Sequence, residues 1–181
     1  MKRFIHIPKT AGTSVKHWIC QTGETVLCGD DIITPEKIIT KRLHKRGWLK
    51  ENTEKFTIVR NPYERCVSAY NYLIKENKRV PADTTFEKFI KDFLLDKSNN
   101  VDTWRPQIWW LLTKKGTPAV HKIIRFENIE KELQHYFNYY QPMPEKNKST
   151  YKDYNLYYTA EIRNLVKNFY EKDFDYLKYP T

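Results

Sequence analysis

The segment from Phe4 to Ile19 constrains the fold more than any other part of the chain. Phe4-Ile5-His6-Ile7 is apolar and β-compatible, and Pro8 closes it, so a strand is expected over Lys2–Ile7. Lys9-Thr10-Ala11-Gly12-Thr13-Ser14 follows at once, a turn of small and hydroxyl-bearing residues. Val15, Trp18 and Ile19 then fall at i, i+3 and i+4, the spacing of one helix face. A strand, a tight turn and a helix in that order aim backbone N–H groups and a helix N-terminus at an anion. Lys9 adds a full positive charge, while Thr10, Thr13 and Ser14 add hydroxyl donors. The turn is not a Walker A loop, because its Lys precedes its Gly. The plain alternative is a βα turn whose hydroxyls cap the helix.

The rest of the chain repeats the alternation. Phe56-Thr57-Ile58-Val59 reads as a second strand closed by Arg60-Asn61-Pro62, with a helix from Pro62 to about Ile74. Earlier, Thr34-Pro35-Glu36 has the form of a helix start, with Ile38, Ile39 and Leu43 as the buried face. Phe86, Phe89, Ile90, Phe93 and Leu94 form another helical stripe, and Trp104–Leu112 is expected to be helical. Val120–Phe126 reads as a third buried strand, followed by a helix carrying Ile129, Leu133, Tyr136, Phe137 and Tyr140. After the polar loop Pro142–Thr150, Ile162, Leu165, Val166, Phe169 and Tyr170 mark the last helix. Strands alternating with helices predict an α/β fold around a parallel sheet. With 181 residues, no repeat and no long linker, residues 1–181 are expected to form a single domain.

Composition narrows the function classes. The chain has 32 Lys+Arg against 22 Asp+Glu, a formal charge of +10, which points to an anionic partner. No apolar run approaches the ~18–20 residues that span a bilayer, and the apolar N-terminal run is too short for a signal peptide. A cytoplasmic protein with no membrane partner is expected. Cys20, Cys28 and Cys66 match neither a disulfide framework nor a zinc site, and reduced thiols are expected.

Phe4-Ile5-His6-Ile7-Pro8-Lys9-Thr10-Ala11-Gly12-Thr13-Ser14 closely resembles the 5′-phosphosulfate loop of the sulfotransferases that use PAPS, 3′-phosphoadenosine 5′-phosphosulfate. The likeness is greatest to the group containing the carbohydrate O-sulfotransferases. Phe56-Thr57-Ile58-Val59-Arg60-Asn61-Pro62-Tyr63-Glu64-Arg65-Cys66-Val67-Ser68-Ala69-Tyr70 is similar to that family's 3′-phosphate motif. The resemblance implies a P-loop-like three-layer α/β fold, with a central parallel sheet flanked by helices. It implies that Lys9, Thr10, Ala11, Gly12, Thr13 and Ser14 bind the 5′-phosphosulfate, and that Arg60 and Ser68 grip the 3′-phosphate. Arg65 is expected to be structural or solvent-facing. Arg105-Pro106-Gln107, Arg125-Phe126-Glu127-Asn128, Asn147-Lys148-Ser149 and Tyr170-Glu171-Lys172-Asp173-Phe174 resemble less specific landmarks in the same order. Ser149, Tyr151 and Lys152 are implied to close over the cofactor, or to form a solvated loop. The shortness of the chain favours a bacterial or viral enzyme.

The implied reaction is in-line transfer of a sulfuryl group from PAPS to an acceptor hydroxyl or amine, leaving PAP, adenosine 3′,5′-bisphosphate. Lys9 would act in catalysis at the leaving oxygen, and the scheme requires no metal. A general base is needed. The candidates are His17, Glu24, Asp30, Asp31 and His44, with Asp31 first and Asp30 next; a loop carboxylate is the plain alternative for both. His6 is expected to pack in its strand, and Glu127 to form a structural ion pair or to orient Lys9 or Arg60. Trp104, Trp109 and Trp110 with Gln107 either line an acceptor site or belong to the core. The acceptor is expected to be a glycan or small molecule, with no nucleic-acid partner. Three other readings stay open: a small metabolite kinase, a basic nucleic-acid-binding module, and a sulfotransferase fold that binds nucleotide without turnover.

Overall fold

The computed structural model describes residues 1–28, 53–75, 80–96, 101–144 and 153–181, and the backbone of 31–33 and 38–40. In chain order the elements are β1 (Lys2–Ile5), α1 (Gly12–Ile19), β2 (Val26–Cys28), β3 (Asp31–Ile33), β4 (Ile38–Thr40) and β5 (Glu54–Val59). Then come α2 (Pro62–Lys75), α3 (Phe86–Phe89), a wide π-type turn over Ile90–Leu94, and α4 (Ile108–Leu111). The chain ends with β6 (Lys122–Arg125), α5 (Ile129–Phe137), α6 (Ala160–Phe169) and α7 (Glu171–Leu177). Two compact units form: Met1–Arg60 with Trp110–Lys148, and Asn61–Trp109 with Ser149–Thr181.

The first unit holds one sheet of order β4-β3-β2-β1-β5-β6. Its four strands β2, β1, β5 and β6 are parallel, and β3 and β4 extend it as an antiparallel meander. The parallel α/β fold is therefore as expected. Alternation sets the faces. Phe4, Val26, Cys28, Phe56, Ile58 and Ile124 point to one side, where they pack with Val15, Trp18 and Ile19 of α1 and with Ile129, Leu133 and Phe137 of α5. Each such apolar side chain contributes about 1.5–3 kcal/mol on burial. Trp18 is fully buried, and its indole N–H donates to the Gln141 carbonyl at 2.9 Å. Ile5, Thr57 and Val59 point the other way and are buried too. Covering of both faces is what a parallel sheet requires.

Three expectations change. Ile38 and Ile39 lie in β4, not in a helix, because Ile38-Ile39-Thr40 is a β-branched run that completes the sheet by pairing with Asp31–Ile33. Leu43 and the start at Thr34 lie outside the described residues. The helix expected over Trp104–Leu112 shrinks to Ile108–Leu111, since the chain around Trp104 is held by other contacts. A separate helix α7 follows α6, where the last helix was expected to end near Tyr170.

Those contacts belong to the second unit. The Tyr170 hydroxyl donates to the Trp104 carbonyl at 2.6 Å. Arg65 is buried and donates from Nη2 to the Thr103 carbonyl at 3.3 Å, so its role is structural. Asp173 accepts the backbone N–H groups of Gln107 and Ile108 at 2.7 and 2.8 Å, and thereby caps the start of α4. In α2, Cys66 is enclosed, and burial pushes its thiol up to about 12. All three cysteines are free thiols.

Candidate functional site

The loop Ile7–Thr13 joins the C-terminal end of β1 to the N-terminus of α1. Lys9 and Ala11 both sit in left-handed backbone conformation, with φ of 68° and 65°. For residues with a side chain each such position costs roughly 1–2 kcal/mol. Strain of this kind persists only where neighbours enforce it. Two hydrogen bonds do so here. Thr10 is fully buried and its hydroxyl donates to the Ile7 carbonyl at 2.8 Å, which closes the turn. Arg60, at the end of β5, donates from Nη1 to the Lys9 carbonyl at 3.3 Å. The Arg60 guanidinium also lies over the Phe126 ring, 4.0 Å from its centroid.

This arrangement follows from sheet register. Phe4 pairs with Phe56 and Val59 with Arg125, so β1, β5 and β6 end at one edge. Loop, Arg60 and Phe126 meet there, at the carboxyl ends of parallel strands, where α/β sheets bind ligands. Phe126 was not anticipated as a site residue; its place directly after the third strand was the available signal.

The hydroxyls separate into two groups. The Thr10 hydroxyl is committed to Ile7. Thr13 is exposed and Ser14 is buried at the start of α1. Ser68 is buried in α2, two turns from Pro62, as expected; it belongs to the second unit. Relaxing the loop is a direct test of its strain. Ala11→Gly should leave thermal stability unchanged or raise it by up to about 1 kcal/mol, since Gly relieves the positive φ but adds unfolded-state entropy. A clear loss in a urea melt would show that the methyl packs favourably enough to outweigh the strain.

The base candidates fare differently. Glu24 pairs with Lys2 at 2.7 Å, at the opening end of β1, remote from the loop. His17 lies in the last turn of α1, about 7.5 Å along the axis from Gly12. Asp30 and His44 lie outside the described residues, as do Ser149, Tyr151 and Lys152. Asp31 opens β3 opposite Cys28, and Cys28 pairs with Phe4. That register row puts Asp31 at the same sheet edge as the loop, two strands or about 10 Å from β1. Glu127 is exposed in the short turn after β6. Trp104 and Trp110 are core, and Gln107 is fully buried. Trp109 alone of the three indoles is exposed, at 57%, with the Arg105 guanidinium stacked 4.3 Å above it.

Among the described residues no helix is long and apolar enough to cross a membrane. Neither curated proteins nor solved structures give a match to the chain. A family model described as "Sulfotransferase family" matches residues 3–180, a span that takes in the loop, Arg60, Ser68 and Asp173. The chain belongs to the sulfotransferase family.

Proposed function

We propose that the protein transfers a sulfuryl group from PAPS to a hydroxyl of a carbohydrate or small-molecule acceptor and releases PAP. The observation that supports this most is the β1–α1 loop, a strained turn tied by Arg60, in a chain that matches the sulfotransferase family almost end to end. Residues 1–181 are taken as one sulfotransferase domain, because the family match runs through both units. A cytoplasmic setting and a bacterial or viral source extend the same reading.

In the transfer, a bond forms between acceptor oxygen and sulfur as the bond from sulfur to the bridging phosphate oxygen breaks, and its electron pair departs with PAP. The N–H groups at the start of α1 and the Lys9 ammonium stabilise charge on that bridging oxygen. Arg60 and Ser68 hold the 3′-phosphate, the planar guanidinium suiting a bidentate contact. Ser149, Tyr151 and Lys152 supply the covering segment. Asp31 takes the acceptor proton, a role supported by its place at the start of β3, in register with Phe4 next to the last residue of β1. No step requires a metal.

Calorimetric titration with PAP, beside ATP plus magnesium, tests the reading. One-to-one PAP binding is expected, weakened by roughly 30-fold or more in Arg60→Ala, as for loss of one partner from a buried charge-assisted contact. Binding of ATP without PAP would replace the donor assignment with a kinase. If neither binds, titration with DNA and RNA at two salt concentrations becomes the deciding experiment.

A further inference from the structure

Gly12 opens α1 and has no positive φ, so its backbone conformation is open to other residues. Its need for glycine comes from a neighbour. A Cβ placed on Gly12 would overlap Nε2 and Cδ2 of His6 and stand 2.9 Å from Cε1. The imidazole therefore occupies the volume that a side chain at position 12 would fill. His6 itself is exposed at the end of β1, with its ring 5.8 Å from that of Phe4. An exposed side chain thus lies against a buried glycine, between the end of β1 and the first turn of α1, beside a loop containing two strained residues.

We propose that His6 is a positioning residue for the donor: its ring wedges the first turn of α1, so that the N–H groups of Gly12, Thr13 and Ser14 keep their aim at the 5′-phosphate. This rests on the reading of the loop as the PAPS site. Glycine at 12 is then required for close approach of a side chain. A displacement of about 1 Å in such a site reduces binding or turnover up to roughly a hundredfold.

The experiment is a two-residue cycle read by PAP calorimetry, with thermal unfolding of the unliganded proteins alongside. His6→Ala should weaken PAP binding by roughly tenfold, with a thermal midpoint within about 2 °C of wild type, because the side chain is exposed. Gly12→Ala should weaken it further by expelling the ring. In the double variant the new methyl has room, so adding Gly12→Ala to His6→Ala should cost at least about tenfold less affinity than adding it to wild type. Equal cost in both backgrounds would overturn the wedge, as would wild-type affinity in His6→Ala. Failure of wild type to bind PAP would instead remove the donor assignment and this inference together. Should Gly12→Ala not fold, His6→Ala against wild type still decides the matter.

Discussion

Lys9→Ala should lower the rate of PAP release from PAPS by roughly a hundred- to a thousandfold while leaving the fold intact. The magnitude is that for removing one preorganised donor from a site of developing negative charge, about 2.7–4 kcal/mol. Lys9 is half-buried, and its carbonyl, which Arg60 holds, is retained in the variant. Alanine also keeps a side chain at φ 68°, so the backbone strain does not change. The effect thus isolates the ammonium. PAP affinity should fall much less than turnover, since the 3′-phosphate is assigned to Arg60 and Ser68. A fall in PAP affinity matching the fall in rate would assign Lys9 to ground-state binding instead. Rates are read by PAP release with and without added acceptors, and a loss under fivefold in both would remove Lys9 from the chemistry.

The parts of this site that were legible in sequence are those written in consecutive residues. β1, the turn and α1 are contiguous, and so are β5, Arg60 and Pro62, so period and punctuation place them. β3 and β4 were not legible. Ile38-Ile39-Thr40 follows a segment with the marks of a helix start, and only pairing across the sheet makes it a strand. Nor was the link from Arg60 to the Lys9 carbonyl, which spans 51 positions. Nor was the neighbour of Gly12: in sequence it is one small residue of a turn, whereas in the structure the ring of a residue six positions earlier lies where its side chain would be. Asp173 stood in sequence only within the landmark segment Tyr170–Phe174, beside Glu171 and Lys172, and its full burial was not legible there.

Asp173 carries the largest expected effect on stability. Its two carboxylate oxygens accept the N–H groups of consecutive residues, Gln107 and Ile108, which no helical carbonyl reaches at the start of α4. Asp173→Ala strands both donors in a buried site, at about 1–3 kcal/mol each, so a loss of about 3–5 kcal/mol is expected in urea unfolding at neutral pH. Asp173→Asn should cost less, because one carbonyl oxygen still accepts while the amide NH₂ turns a donor toward the other N–H. The pH dependence separates charge from capping. Burial raises the Asp173 carboxyl above its ordinary value of 3.8, with the two N–H bonds and Arg65 opposing the rise. Between the unfolded and folded values the native state holds a proton that the unfolded chain has lost. Stability from this group is therefore full below the unfolded value and declines as pH rises through the folded one. Asp173→Asn should remove that decline, so the stability advantage of wild type over Asn should narrow as pH rises through the folded value. A difference that widens instead would mean that the N–H bonds and Arg65 outweigh desolvation, and that the ionised carboxylate is the form the fold prefers.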